Sequence, residues 1–414
     1  MFKAFSYAIK LSGYVFQLMS LYLITDVLET QELASFFFIT SAAAIASSLC
    51  DFGFIRYSFR YLNRSTPPSL IIARSLQAIA TGSAIAGPMY LCLAYFGAER
   101  LDIAILLYPG AIAIQLVNVN RYLLIDKKQY NSTILTEVIQ PFVFLFFIAA
   151  CLTFGYRQLT TVCAAYLCSQ ICSLLFSIRI AHAQAHWREG WLLALERRHA
   201  RGSSGLFRSL SRAAPVGLDQ ILSNVWFQLP VVLSGILSEA HTTAVIGLFT
   251  RILNVAKGFV SVSVTINLAS FYSRSHTELI VKRASFAAAA ASALLLPAIY
   301  LIHWSINQFH HIFSDAPIIS LVDELSESAG ALTLIFSGIF LYQQISFALL
   351  GINLRKQRAL ASFIGIIAFG FSSVVLVVAM HYQSASPYLW SLTASLTASI
   401  TFMLAILFRR PAHA

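Results

Sequence analysis

Apolar stretches of about 20 residues, the length at which a helix crosses a bilayer, recur along almost the whole 414-residue chain. In lipid the backbone must satisfy its own hydrogen bonds, so segments of this length and composition can only be helices. The composition agrees, with 58% hydrophobic and 11% charged residues and a mean hydropathy of +0.74. Twelve spans are expected, at about 5–25, 33–55, 70–96, 103–124, 132–154, 158–180, 211–237, 243–269, 284–308, 328–352, 359–381 and 387–408. The first carries Lys10 and has no small-residue cleavage site after it, so it is expected as a span and not as a removed leader. The fold class expected is therefore all-α integral membrane, with about 12 transmembrane helices. No stretch between the spans is long enough for a soluble domain.

The net charge of +11 is unevenly placed. With both termini taken as cytoplasmic, the inner segments hold Lys3, Arg56, Arg60, Arg64, Arg121, Lys127, Lys128, Arg188, Arg197, Arg198, Lys282, Arg283, Arg355, Lys356 and Arg358, among others. The outer loops hold only Arg100 and Arg157 among basic residues, together with acids such as Asp26, Glu29, Glu32, Asp315, Asp323, Glu324 and Glu327. Such asymmetry in short loops sets orientation. The basic balance thus reports topology and gives no case for nucleic acid as a partner. The six cysteines all fall within spans and form no disulfide or metal pattern.

Residues 183–205 divide the chain between the sixth and seventh spans. Trp187, Trp191 and Leu195 recur every four residues there, which predicts an amphipathic helix at the inner interface. The expected organisation is an N-terminal six-helix lobe over 1–182, a cytoplasmic amphipathic linker over 183–205 and a C-terminal six-helix lobe over 206–414. Asp126-Lys127-Lys128-Gln129 after the fourth span and Leu354-Arg355-Lys356-Gln357 after the tenth form a faint internal repeat. A site between duplicated halves is a common transporter plan.

Polar residues at helical spacing mark candidate functional faces. Lys10 and Gln17 lie on the first span, Gln115, Asn118 and Tyr122 on the fourth, Gln220, Asn224 and Gln228 on the seventh. On the eighth, Arg251, Asn254, Lys257 and Ser261 share one face. A cation at membrane depth costs about 2.5–3.5 kcal/mol on insertion scales, so it faces either a partner acid or a wet cavity. Each stripe alone fits interhelical hydrogen bonding, whereas several spread over both halves fit a hydrated path. Glu137 and Asp219 are carboxylates in largely apolar spans, suited either to carrying a proton or sodium ion or to pairing with Lys10 or Arg251.

Three stretches carry a family resemblance. Asp51-Phe-Gly-Phe closes the second span, Ala214-Pro215-Val-Gly217-Leu-Asp219-Gln opens the seventh, and Ile246-Gly247-Leu-Phe-Thr-Arg251 lies in the eighth. With the six-plus-six layout, they resemble Wzx-type polysaccharide flippases of the multidrug/oligosaccharidyl-lipid/polysaccharide (MOP) exporter superfamily. That superfamily also holds lipid II flippases and multidrug antiporters. Arg251 stands where many relatives have a small residue. The resemblance implies two six-helix lobes in a MATE-like V shape, alternating access, and an undecaprenyl-diphosphate-linked oligosaccharide moved from the cytoplasmic to the periplasmic leaflet of a bacterial inner membrane, for O-antigen, capsule or exopolysaccharide. Partners implied are that lipid-linked oligosaccharide, membrane lipids, a polysaccharide polymerase and chain-length proteins.

On that reading Arg251, Lys257 and Lys10 would receive the diphosphate, since guanidinium grips phosphate bidentately and ammonium acts as a point charge. Gln17, Asn118, Gln220, Asn224 and Gln228 would meet the sugars, and Glu137 and Asp219 would couple to an ion. A MATE-like ion-coupled exporter of small cations is the alternative, for which a more acidic cavity is expected. A membrane-embedded O-antigen polymerase or ligase would be expected to carry a large outer loop with basic catalytic residues. The outer loops here are short and acidic, so no enzymatic activity is expected, and no Gly-x-x-x-x-Gly-Lys-Ser/Thr run is present, so no nucleotide cofactor is expected.

Overall fold

The computed structural model describes residues 2–55, 67–126, 129–181, 184–200, 204–267, 286, 289, 324, 328–351, 355–380 and 384–408. Their regular elements are all helices: α1 Phe2–Val27, α2 Thr30–Cys50, α3 Pro68–Ala98, α4 Leu101–Asp126, α5 Tyr130–Thr153, α6 Leu159–Ile180, α7 Gln184–Ala200, α8 Ser204–Leu237, α9 Ala240–Asn267, α10 Ala329–Gly351, α11 Arg355–Met380 and α12 Ser386–Phe408. Among the described residues, nine stretches combine the length and hydropathy of a membrane crossing. The expected ninth span, 284–308, and the loop 309–327 lie outside the described residues except for Phe286, Ala289 and Glu324.

Two compact units divide the helices. One comprises 1–28 and 38–224, the other 29–37 and 225–414, so α2 and α8 each pass from one unit into the other.

The first unit shows how small residues let membrane helices meet where lipid supplies no hydrophobic drive. Along the α1–α5 contact, Lys10 faces Glu137, Gly13 seats Val138, and the Phe16 and Phe142 rings lie 5.3 Å apart. Between α4 and α6, Asn120 Nδ2 donates to Ser177 Oγ at 2.8 Å, and between α5 and α6 Gln140 Nε2 donates to Ser169 Oγ at 3.2 Å.

The second span was expected to run to about residue 55, but α2 stops at Cys50. Phe52 and Gly53 turn left-handed there, with φ of 47° and 69°. Asp51 holds this turn, accepting the Gly53 amide at its Oδ1 (3.1 Å) and the Phe54 amide at its carbonyl (2.7 Å). Two glycines flank the turn. A Cβ on Gly82 of α3 would lie 2.0 Å from the Cys50 carbonyl oxygen, and one on Gly217 of α8 2.0 Å from that of Phe52. The two stretches of the resemblance, Asp51-Phe-Gly-Phe and Ala214-to-Gln220, thus interlock backbone to backbone.

Helix α7 lies against α3, with a Cβ on Gly190 only 2.9 Å from the Ser69 carbonyl oxygen and from Ile72. Gln77 Nε2 donates to the Ala194 carbonyl at 3.1 Å. Trp187 packs on the cluster of Ile55, Ile72, Val119 and Leu124, while Trp191, Leu192 and Leu195 are exposed.

In the second unit, Trp226 of α8 is fully buried. It donates to Ser395 Oγ at 2.6 Å and meets Tyr342 edge-on at 4.4 Å. Ser391, Ser395 and Ser399 form a buried stripe on α12, and the last two donate to the Gly365 and Ala361 carbonyls of α11.

Candidate functional site: cations within the helices

Lys10, Glu137 and Arg121 lie near the same end of the first unit's helices. Lys10 is eight residues into α1, Glu137 seven into α5 and Arg121 five from the end of α4. At 1.5 Å per residue these are depths of about 12, 10 and 8 Å. Lys10 Nζ stands 3.5 Å from Glu137 Oε2, with side chains 18% and 36% exposed. The sequence placed Arg121 among the inner loop charges. Arg121 also falls near the inner end of the expected fourth span, 103–124, and α4, running on to Asp126, keeps it inside a stretch able to cross the membrane.

A one-way chain of hydrogen bonds leads to Arg121. Gln115 Nε2 donates to the Ser47 carbonyl (2.7 Å) and Oγ (2.8 Å), Asn118 Nδ2 donates to Gln115 Oε1 (3.3 Å), and Arg121 Nη1 donates to Asn118 Oδ1 (3.4 Å). Each amide offers its oxygen to the next donor, so the chain fixes their orientation. Its origin in Ser47 of α2 was not legible from the α4 stripe alone.

Of the expected sugar contacts, Asn118 is a link in this chain and is half-buried, and Gln17 is exposed on α1. Gln220 and Asn224 are half-buried on α8, whereas Gln228 is buried and belongs to the second unit. Asp219 is buried, two residues from the Gly217 contact.

In the second unit, Gly247 and Arg251 meet one ring. Gly247 lies so close to Phe37 of α2 that a Cβ would approach Phe37 Cδ2 to 2.4 Å, and the Arg251 guanidinium carbon is 6.0 Å from the centre of that ring. The ring face attracts the cation and holds it one turn from the glycine. Arg251 is half-buried, eleven residues into α9 and so about 16 Å along it. The side chains of Lys257 and Ser261 lie outside the described residues.

Sequence reasoning missed one polar knot. Glu324 accepts from His241 at the start of α9 (2.8 Å) and from the Ala385 amide before α12 (2.6 Å). Its place in an acidic loop gave no sign of either partner.

A profile for polysaccharide biosynthesis proteins matches residues 4–269. The chain belongs to that family. No curated protein matches it. Solved structures share its fold at low identity. An inward-facing multidrug resistance MATE transporter of the MOP superfamily superposes with a TM-score of 0.67 at 16% identity, covering 98% of this chain and 100% of that one. The lipid II flippase MurJ, in an inward closed conformation, gives 0.69 at 11%, with 99% and 88% covered. A MOP transporter from Pyrococcus furiosus, described as having a binding pocket of reversed polarity, gives 0.55 at 14%, with 98% and 95% covered. This member of the polysaccharide biosynthesis family is thus a multi-pass membrane protein with the all-α MOP fold.

Proposed function

We propose that the protein is a flippase that carries a diphosphate-linked oligosaccharide lipid from the cytoplasmic to the periplasmic leaflet of a bacterial inner membrane by alternating access, with both termini cytoplasmic. The observation that carries this reading is the placement of cations, Arg251 in one unit and Lys10 and Arg121 in the other, inside helices of a polysaccharide biosynthesis family member. A cation at such depth can hold an anionic group of the cargo, and a diphosphate offers one. Arg251, Lys257 and Lys10 receive the diphosphate, and Gln17, Asn118, Gln220, Asn224 and Gln228 meet the sugars. Outward movement of each negative charge gains about 2.3 kcal/mol per 100 mV of inside-negative potential. The polymerase and chain-length proteins act on the product.

A second reading rests on the carboxylates of Glu137 and Asp219 within helices. In it the chain is an ion-coupled small-molecule exporter, and these acids carry the ion. Cells lacking the protein separate the two. Loss of surface polysaccharide with accumulation of the lipid-linked oligosaccharide, restored by the wild type and not by the Arg251→Ala, Lys257→Ala double variant, supports the flippase. Unchanged polysaccharide with impaired ethidium efflux establishes the exporter instead.

A further inference from the structure

We infer that Lys10, Arg121 and Glu137 form an anion-exchange station in the first unit, where Glu137 is a resident counter-ion that a phosphate or diphosphate group displaces. The inference deepens the flippase reading and rests on it. Lys10 and Glu137 pair across the α1–α5 contact, and Arg121 lies at a similar depth on α4, which also packs on α5; among the described residues this sets two cations against a single acid and leaves net positive charge.

Arg121 is the less satisfied of the two cations. A guanidinium offers five N–H donors. Among the described residues Arg121 makes one hydrogen bond, to a neutral amide at 3.4 Å, and its shielded Nε has no hydrogen-bond partner. The length exceeds the 2.7–3.2 Å typical of N–H···O bonds. The chain from Ser47 through Gln115 and Asn118 aims one Arg121 nitrogen and leaves the remaining donors for an acceptor from outside it.

The Lys10–Glu137 pair is built to exchange. At 3.5 Å it is longer than a charge-assisted hydrogen bond of 2.7–2.9 Å, and Glu137 is more exposed than its partner. A pair of this kind contributes little to stability, yet it keeps an unliganded cation from standing alone at membrane depth. An arriving phosphate brings more charge and three or more acceptor oxygens, enough to take Lys10 from Glu137 and engage the unused edge of Arg121.

The experiment measures binding to the full-length protein in nanodiscs, with farnesyl diphosphate, inorganic pyrophosphate and farnesol as probes. Glu137→Gln removes the internal competitor and should tighten farnesyl diphosphate binding about tenfold, while Arg121→Gln should weaken it about tenfold and Arg121→Lys less. Farnesol should not bind. Equal tightening for inorganic pyrophosphate supports the station with a free anion as its ligand, and tightening for farnesyl diphosphate alone supports a lipid-borne one. A purely structural ion pair predicts lower thermal stability in Glu137→Gln with no gain in affinity, which overturns the proposal. Should Glu137→Gln not accumulate, Lys10→Gln gives the same decision, since it must weaken binding if Lys10 is displaced onto the ligand. Binding that is lost in Arg251→Ala but unchanged in both Arg121→Gln and Glu137→Gln refutes the station and leaves the flippase reading intact. A wild type that binds neither diphosphate probe refutes both.

Discussion

The indole nitrogen of Trp187 donates to Asn120 Oδ1 across 2.8 Å, and Asn120 Nδ2 donates at the same distance to Ser177 Oγ. One fully buried asparagine on α4 therefore fastens helix α7 to α6 as well as to α4. By sequence Asn120 looks like one more polar residue beside the Gln115–Asn118 stripe. Its neighbours instead make it a fixed joint.

Asn120→Leu should accordingly lower stability and spare function. It removes both bonds and leaves the Trp187 N–H without its acceptor, at a cost of about 1–3 kcal/mol. Thermal unfolding in detergent should show the drop. The protein that remains in the membrane should transport at the wild-type rate per molecule, because the side chain is wholly enclosed. A full-strength transport defect at normal stability would assign Asn120 to the substrate path.

The interlocked backbones at the end of α2 give a sharper test. Gly217→Val and Gly82→Val each place carbon where a carbonyl oxygen already sits, 2.0 Å from the glycine's first added atom. Neither carbonyl belongs to a flexible side chain, so the helices must separate, at a cost beyond the 1–3 kcal/mol of ordinary overpacking. Little folded protein should accumulate from either variant, as judged by fluorescence-detected size exclusion. Gly330→Val, at an exposed helix position that no described residue approaches, is the control and should accumulate normally.

Glu324 predicts a graded series. Its Oε1 caps the amide preceding α12 while Oε2 meets His241. Glu324→Gln keeps the cap through its amide oxygen and should cost less than Glu324→Ala, which loses cap and pair together, by about 1 kcal/mol. His241→Ala should resemble Glu324→Gln, since it removes only the partly exposed partner. Chemical denaturation of the three variants orders them, and equal effects of all three would show that the cap carries nothing.

Much of the fold was legible because lipid leaves the backbone few options. The spans of α3 to α6, α8, α11 and α12 follow directly from apolar length. Helical period also identified faces correctly, as with Gln115 and Asn118. Neighbours are another matter. Lys10 meets Glu137 127 positions away, and Asn120 meets Trp187 67 positions away, because α1 packs on α5 and α7 folds back over α3. Period alone leaves such partners open, which is why the sequence offered Glu137 either Lys10 or Arg251. The early end of α2 escaped notice for a different reason. Cys50-Asp-Phe-Gly-Phe continues the apolar run, and only the left-handed φ of Phe52 and Gly53 breaks the helix.

The contact of Gly247, Phe37 and Arg251 permits a test that changes no charge. Gly247→Ala puts a methyl group within 2.4–2.5 Å of Phe37 Cβ, Cγ and Cδ2, so the ring must move. The Arg251 guanidinium, held over that ring at 6.0 Å, loses its platform when the ring shifts. Cation–π contact of this kind contributes about 0.5–2 kcal/mol, enough to misdirect a side chain with many rotamers. Export should therefore fall in Gly247→Ala although Arg251 is intact. Phe37→Gly removes all three atoms that the new methyl group would meet, the Cβ included, but also removes the platform. The Gly247→Ala, Phe37→Gly double variant should then recover protein level without recovering export, whereas Phe37→Tyr, with Gly247 retained, keeps a ring face and should export normally. Surface polysaccharide and membrane protein level, measured together, decide the matter. Full export from the double variant would mean that Arg251 needs no aromatic support, and the role given to Phe37 would fall.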